Sequence, residues 1–412
     1  MSSTPPDLPR FGVIEAALRR TTEHLARELA HPRDSPPDWN PFEWDVARAV
    51  SAMQGITVLL AHGLRWRGPN SWQQFLRMQS RQALQRDARI ATTIERIGAA
   101  LQAAGVSAVG LKGTALRRLS LYRAGERPMG DIDLLVHTAD VPRVAKALSS
   151  LDYTEAFVTL RHRVFKPRET PGITRAGEHP DNPLKIEVHE SIGELLPVRR
   201  VDITGTLAPP DSSPGLQPYR DEAELLRHLL LHAASNMRAH ALRQVQLHDI
   251  ALLAPRLGPG AWDKLLATPA QQGGCWWMYP PLRLALHYYP GCATVPLEDF
   301  ARACPRVLRT AARRDTLTGV SWSNLRIHAF PGICWSRSPL EALRYARQRF
   351  LPDRTAIEEL HVKVDAQPAL YQVPWYGLGH GQRILRWVVS RPPRVQTLVS
   401  LRGAIEEARS TQ

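Results

Sequence analysis

Residues 111–136 read LKGTALRRLSLYRAGERPMGDIDLLV, and this stretch decides how the centre of the chain folds. Its first residue ends a short apolar run, VSAVGL (106–111), which follows Gly105 and predicts a buried strand. The residues TALRRLSLYR (114–123) have helical spacing, GERPMG predicts a turn, and DIDLLV (131–136) predicts a second strand. The order strand, helix, strand indicates a small unit that mixes helices with a sheet.

The same unit continues after the second strand. VPRVAKALSSL (141–151) predicts a helix, and YTEAFVTLRHRVF (153–165) fits either one strand or part of a hairpin. After a loop rich in Gly, Pro, Asn and Asp, LKIEVHE (184–190) alternates apolar and polar residues, which is typical of a strand with one buried face. We therefore predict an α+β fold whose core, with a small mixed sheet, spans residues 105–206.

Helical patterns flank this core on both sides. Residues 1–104 predict an N-terminal helical region, in which residues 1–10 are polar, Pro-rich and expected to be disordered. The Pro-rich stretch LAPPDSSPGLQP (207–218) predicts a linker, and residues 219–412 predict a C-terminal helical region. The tail beyond residue 352 is mixed in pattern, so it receives no assignment of its own.

Composition narrows the class of protein. The net charge is +14, which favours polyanionic partners, but the Arg residues are scattered and also fit an ordinary solvated surface. No apolar run approaches the roughly 20 residues of a membrane helix, and the N-terminus lacks the apolar segment of a secretion signal. The four cysteines form no CxxC pair, which argues against a zinc ribbon and a disulfide framework. We expect a cytoplasmic protein that does not bind membranes.

Strand geometry can bring three acidic residues to one point. Asp131 and Asp133 are two residues apart on the DIDLLV strand, so their side chains share a face, roughly 7 Å apart along it. Glu187 points away from its apolar neighbours on the strand at 184–190, and it completes the cluster if the two strands are adjacent. Converging carboxylates are the ligands that Mg²⁺ prefers. An isolated Asp-x-Asp pair is also typical of a turn or cap, so the inference needs all three acids.

A second group of residues is suited to phosphate. Lys112, Gly113 and Thr114 join the first strand to its helix, where a glycine lets backbone N–H groups approach an anion. Thr114 is a predicted helix N-cap whose hydroxyl could also contact phosphate. Lys112 could reach a phosphate or pair with one of the Asp residues. Arg127 could stabilise a leaving pyrophosphate or be an ordinary surface residue.

Together these motifs resemble the signature of the DNA-polymerase-beta-like nucleotidyltransferase superfamily. That signature is a strand, a Gly followed by a small hydroxyl residue or Gly, a helix, and Asp-x-Asp on the next strand. More closely, residues 106–190 resemble a bacterial group described as uncharacterised nucleotidyltransferase family proteins. These share the LKG segment (111–113), an Arg shortly before DIDLLV (here Arg127), and a later IEVH-type strand (186–189).

The resemblance implies a metal-dependent transfer in which an acceptor attacks the α-phosphorus of an NTP, expected to be ATP, and pyrophosphate leaves. Asp131, Asp133 and Glu187 would be the catalytic acids and would bind two Mg²⁺ ions, while Gly113 and Thr114 would contact the triphosphate. The chain departs from the usual pattern at two of these positions. Thr114 stands where Ser or Gly is usual, and Glu187 stands where Asp is commoner.

The acceptor is left open by the motifs. A hydroxyl or phosphate on a small molecule, peptide or protein is the favoured class, because no RNA-binding module is recognisable. Two alternatives remain: the addition of nucleotides to RNA, and a non-catalytic NTP-binding or antitoxin-like regulatory protein.

Several histidines allow more than one interpretation. His189 shares a face with the third predicted acid, and it fits a hydrogen-bonded strand residue better than a general base. His228 and His232 are spaced i, i+4 on an apolar helix and fit core or interface positions better than zinc ligands. The pair His248–Asp249 only weakly resembles the HD motif of metal phosphohydrolases.

Overall fold

The computed structural model of the chain describes residues 9–159, 162–169, 177–208, 213–269, 273–292, 295–322, 328–352, 377–390, 398 and 401–406. Most of the stretch predicted to be disordered, residues 1–10, therefore lies outside the described residues. The same is true of much of the tail beyond residue 352.

A mixed sheet forms the centre of the described chain. The strands are β1 (Ser107–Gly110), β2 (Asp131–Val136), β3 (Tyr153–Val158), β4 (Arg163–Pro167), β5 (Lys185–His189), β6 (Gly193–Leu195), β7 (Arg200–Asp202) and β8 (Gly215–Gln217). Six of them form one sheet in the order β3-β4-β5-β2-β1-β8, and β6 and β7 form a separate pair. Strand β2 runs antiparallel to β1 and parallel to β5, which makes the sheet mixed, as predicted.

Helices surround this sheet on the N-terminal and C-terminal sides, and among the described residues none is both long and apolar enough to span a bilayer. The helices are α1 (Phe11–Glu28), α2 (Pro41–Met53), α3 (Thr57–Gly63), α4 (Asn70–Ala103), α5 (Gly113–Arg118), α6 (Val141–Ser149), α7 (Thr204–Leu207), α8 (Glu222–Arg238), α9 (Gln244–Leu253), α10 (Pro259–Leu266), α11 (Tyr279–Tyr288), α12 (Leu297–Ala303), α13 (Arg306–Ala312), α14 (Leu317–Ser321), α15 (Pro339–Phe350) and α16 (His380–Val389). The α+β architecture with flanking helices is therefore confirmed.

The two faces of β2 join different apolar cores. Ile132, Leu134 and Val136 pack in a core with α4 and α6. Leu135, on the other face, belongs to a second core, which is built largely from α8, α9 and α11. Because side chains alternate along a strand, Asp131 and Asp133 share the face of Leu135 and point toward the C-terminal helices.

A third core holds the N-terminal helices together. It is built from α1, α2, α3 and the first turns of α4, around the buried indoles of Trp39, Trp44, Trp66 and Trp72. The later turns of α4 belong to the core beneath β2, so this 34-residue helix connects the N-terminal region to the sheet.

Two segments differ in detail from the sequence-based predictions, and a third decides between two alternatives. The predicted helix at 114–123 ends at Arg118, because Ser120 adopts a positive φ of 53°. The stretch 153–165 is a hairpin, the second of the two alternatives. Residues 215–217, inside the stretch predicted to be a linker, form the edge strand β8. It pairs in parallel with β1, and Gly215 donates its N–H to the carbonyl of Val106 at 2.8 Å.

Candidate active site

The three predicted acids meet on the face of the sheet that looks toward α8 and α9. In the parallel pairing of β2 with β5, Asp133 stands directly beside Glu187, and Asp131 stands beside Lys185. Burial, then Asp131 and Asp133, raise the pKa of Glu187 to about 8. Burial and Asp133 also raise the pKa of Asp131. Burial is the larger cause of both shifts, and the like charges of neighbouring acids add to it.

Asp133 is the hub of this acidic face. Burial would raise its pKa, but Lys112 and His189 lower it well below its usual range. The Lys112 Nζ donates to Asp133 Oδ1 at 3.1 Å, and the His189 Nε2 lies 3.0 Å from the same oxygen. Asp133 therefore stays ionised, whereas the raised pKa values of Asp131 and Glu187 make the ionisation of these two acids less favourable.

Two imidazoles flank Glu187. The Nε2 atom of His162 lies 3.5 Å from Glu187 Oε2, and the Nε2 atom of His189 lies 3.9 Å from it. His162 precedes β4, which pairs with β5, and its ring centroid is 5.0 Å from that of His189. His162 was missed in the sequence, because its position opposite His189 depends on the register of the β4–β5 pair. The local sequence HRVF (162–165) does not indicate that register.

The turn between β1 and α5 holds Lys112 in an uncommon backbone conformation. Its φ is 44° with ψ −110°, a region that L-residues rarely occupy. The N–H group of Lys112 donates to the hydroxyl of Tyr219 at 3.1 Å, and that hydroxyl lies 2.7 Å from His228 Nδ1. His228 is buried, and burial lowers its pKa well below the ordinary value, so it stays neutral. The turn that carries the predicted phosphate-binding residues is thus fastened to α8.

Gly113 is the first residue of α5, and the space beside it is filled by a cation. A Cβ at this position would come within 2.5 Å of Arg127 Nη1 and 3.0 Å of the Met129 side chain. Only glycine fits here without a shift, which gives the motif glycine a steric reason besides the approach of phosphate.

Thr114 occupies a different place from the one predicted. The N-cap position of α5 is Lys112, so the prediction that Thr114 caps the helix is wrong; the positive φ at Lys112 starts the helix earlier. The Thr114 N–H donates to the carbonyl of Leu111 at 3.1 Å, and its side chain packs against Gly110. It lines a cavity of about 1050 Å³ between α4, α5 and β8. The atom that packs against Gly110 is the Cγ2 methyl group, and the buried Oγ1 finds no hydrogen-bond partner among the described residues.

Arg127 forms a closed ion pair beneath the acidic face. Its Nε and Nη2 donate to the two oxygens of Asp249, each at 2.7 Å, and Asp249 also accepts from the Tyr122 hydroxyl at 2.7 Å. Burial alone would lower the pKa of Arg127, but Asp249 more than offsets it and raises that pKa. With Asp249 occupied in this way, the weak resemblance of His248–Asp249 to an HD motif has no structural support.

A small basic cavity opens beside Gly113. It measures about 230 Å³, and its lining includes Arg117, Arg123 and Arg127. Arg117 also pairs with Asp87. Arg243, at the start of α9, adds a further cation near Asp131: burial lowers its pKa, and the interaction with Asp131 opposes that shift. Anionic groups of a ligand would find positive charge on two sides of the acids.

The donor set fits divalent cations. Asp131, Asp133 and Glu187 offer hard oxygen atoms on one face, and the charges of the other two acids add to burial in raising the pKa of Glu187. A divalent cation held by these oxygens would relieve the repulsion between them.

Comparison with known proteins gives one match. The family model described as uncharacterised nucleotidyltransferase matches residues 40–289, which is more than half of the 412 residues. The matched stretch runs from α2 to α11 and includes the whole sheet with its acidic face. No curated protein and no solved structure gives a significant match.

Proposed function

This chain belongs to the uncharacterised nucleotidyltransferase family, and we propose that it is a metal-dependent enzyme that transfers AMP from ATP. The proposed acceptor is a hydroxyl or phosphate group on a small molecule, peptide or protein. The observation that carries the metal-dependent mechanism is the register of β2 and β5, which sets Glu187 beside Asp133 and on the same face as Asp131.

In this proposal the three acids hold the divalent cations, expected to be two Mg²⁺ ions. Such cations would bind the triphosphate, activate the acceptor hydroxyl and neutralise the departing pyrophosphate. One of the acids takes the acceptor's proton, directly or through water. Lys112, 3.1 Å from Asp133, limits the charge of the face and stands where a phosphate oxygen could replace Asp133 as its partner.

The triphosphate is proposed to lie between the acids and the basic cavity beside Gly113. Arg127 Nη1 is directed toward Gly113, while the other two donor nitrogens of its guanidinium are held by Asp249. A fixed guanidinium loses little side-chain entropy when a phosphate binds, which suits a permanent part of a phosphate site. Thr114 contributes to this site through its backbone position in the first turn of α5, since its side chain faces the other cavity.

The test is incubation of the protein with each α-labelled NTP, Mg²⁺ and a lysate of the cells that make it. We expect label transfer from ATP by the wild type and its loss in Asp131→Ala/Asp133→Ala. A matched control is Asp181→Ala, which removes a carboxylate with 73% of its side chain exposed and should leave transfer unchanged.

The outcome also separates the alternatives. Label that is removed by ribonuclease would favour addition of nucleotides to RNA, and label that is removed by protease would identify a protein acceptor. Full transfer by the double variant would overturn the assignment of the acids. Failure of the wild type to bind Mg²⁺–ATP at all would favour a non-catalytic role.

A further inference from the structure

The acidic face has two chemically different ends. At one end Asp131 supplies only carboxylate oxygen, with the cations Lys185 and Arg243 nearby. At the other end the imidazoles of His162 and His189 stand on either side of Glu187. Asp133 lies between the two ends, and its Oδ1 is 3.0 Å from His189 Nε2.

The donor atoms at the histidine end converge on one point. One ligand atom from each of His162, Glu187 and His189 lies within 4.8 Å of the other two. Three of the separations are 3.0 Å from His189 to Asp133, 3.5 Å from His162 to Glu187, and 3.9 Å from His189 to Glu187. Two donors bound at about 2.1 Å to one ion are about 3.0–3.4 Å apart, so donor atoms that lie up to 4.8 Å apart must move closer to share an ion.

We propose that His162, Glu187, His189 and Asp133 form a binding position for a first-row transition-metal dication, with Zn²⁺ as the best-fitting ion. The set is two imidazole nitrogens and two carboxylate oxygens drawn from three adjacent strands or their ends, β2, β4 and β5. Imidazole suits Zn²⁺ and its neighbours in the periodic table, whereas Mg²⁺ demands oxygen ligands and usually retains several waters. The histidine end therefore selects against Mg²⁺.

Strand pairing gives this position its rigidity. Glu187 and His189 are alternate residues of β5, so their side chains project from the same face of one strand. His162 is brought opposite them by the antiparallel β4–β5 pair, and both histidines are largely buried, with side-chain exposures of 19% and 10%. A site whose ligands are fixed before the ion arrives loses little conformational entropy on binding.

This inference rests on the proposed function in one respect: the same face would also hold the metal that accompanies the nucleotide. When the transition metal occupies the histidine end it would take Glu187, so Mg²⁺ would then use Asp131 at the oxygen end, with Asp133 available to both. Binding of Zn²⁺ is measured without nucleotide, so the two proposals can fail separately.

The test is titration of the metal-free full chain with Zn²⁺ and, separately, with Mg²⁺, followed by calorimetry. We expect His162→Gln to weaken Zn²⁺ binding at least about tenfold and to change Mg²⁺ binding by less than about twofold, because Mg²⁺ would bind at the Asp131 end, away from residue 162. The control is His137→Gln, which removes an exposed imidazole just after β2 and should change neither affinity.

X-ray absorption of the bound zinc gives a second readout. The wild type should show two imidazole nitrogens per zinc, and His162→Gln should show one. Circular dichroism checks that each variant is folded, and His162 is the chosen position because it precedes its strand and is partly exposed.

Unchanged zinc affinity and an unchanged imidazole count in His162→Gln would overturn the inference. So would an equal loss of affinity in His137→Gln, since it would mean that zinc binds to surface histidines. Neither result would contradict the proposed nucleotide transfer, which is tested by Mg²⁺-dependent label transfer. Conversely, a lack of label transfer would not contradict the zinc proposal.

Discussion

Two buried clusters of charged residues lie side by side in this protein, and they differ in how their charges are paired. In the Arg127–Asp249 cluster, a guanidinium meets both oxygens of a carboxylate that is 1% exposed at its side chain, and a tyrosine hydroxyl completes the pairing. In the acidic face, three carboxylates lie near the cations Lys112, Lys185 and Arg243, and burial is the largest cause that raises the pKa of Glu187 to about 8. The first cluster is complete within the chain, while in the second burial and the neighbouring acids oppose the ionisation of Glu187.

The pairing of charges distinguishes a structural ion pair from a ligand-binding site better than the burial of the charged groups does. Both clusters are buried and both contain acids that the chain could have replaced with apolar residues. Charge balance is therefore the property to break or restore by mutation.

The largest effect is expected from breaking the closed cluster. Asp249→Asn leaves the Arg127 guanidinium buried without a counter-charge, which should lower the free energy of unfolding by about 3–5 kcal/mol. Urea unfolding followed by circular dichroism measures it. The matched double variant Arg127→Met/Asp249→Leu removes both charges and should recover most of the loss. A single variant as stable as the wild type would mean that the pair is not the closed cluster described above.

A smaller effect of opposite sign is expected in the acidic face. The pKa of Glu187 is about 8 when folded and about 4.3 in an unfolded chain, so the folded state favours the protonated form. That preference stabilises the protein fully below pH 4.3 and is lost as the pH rises through 8. Glu187→Gln keeps a neutral side chain at every pH, so with chelator present it should be about 1–3 kcal/mol more stable than wild type at pH 9.

The measurement is the free energy of unfolding in EDTA at pH 5 and at pH 9. The two proteins should differ little at the lower pH and diverge at the higher one. Glu190→Gln, three residues further along the chain and with 35% of its side chain exposed, serves as the control and should follow the wild type. A Glu187→Gln variant that is less stable than wild type at pH 9 would show that the face is already balanced.

The smallest effect is expected at Gly113, which lies between the Arg127–Asp249 cluster and the acidic face. In Gly113→Ala, the new methyl group would press on Arg127 Nη1 and Met129, which should cost about 1 kcal/mol of stability and reduce nucleotide transfer. Gly130→Ala is the matched control: a Cβ there meets nothing within 4 Å, and its stability should stay within about 0.5 kcal/mol of wild type. Thermal melting and label transfer measure both. Equal behaviour of the two variants would remove the steric role assigned to Gly113.

The sequence was most informative where the local pattern and the tertiary environment agree. The stretch DIDLLV predicts a strand at 131–136, and β2 has those bounds because its apolar residues fill a core on one face. The strand at 184–190 was also predicted, and its neighbour relation to β2, which the sequence left conditional, is what the structure supplies. In contrast, β8 is three residues long and lies among prolines and glycines, too short for any periodicity to reveal.

The missing parts of the site are those that depend on distant residues. Asp249 is separated from Arg127 by 122 residues, so nothing near Arg127 indicated that it had a partner. His162 depends on the register of a hairpin. Thr114 was placed at the helix cap by residue preference, but the backbone of Lys112 starts the helix and turns the threonine toward α4. Local preference cannot anticipate a residue held with positive φ by a tyrosine more than 100 positions away.

The bond from Lys112 to Tyr219 has a consequence for anyone who wishes to excise the centre of this protein. A fragment that stops at residue 206 would keep all three acids, yet it would lose the edge strand β8 and the hydroxyl that anchors the Lys112 peptide. Without that anchor the peptide is free to relax to an ordinary conformation and carry the lysine ammonium away from Asp133. The fragment would retain the acids but lose their spacing to the lysine. The segment after residue 206 is therefore needed to hold the site in shape.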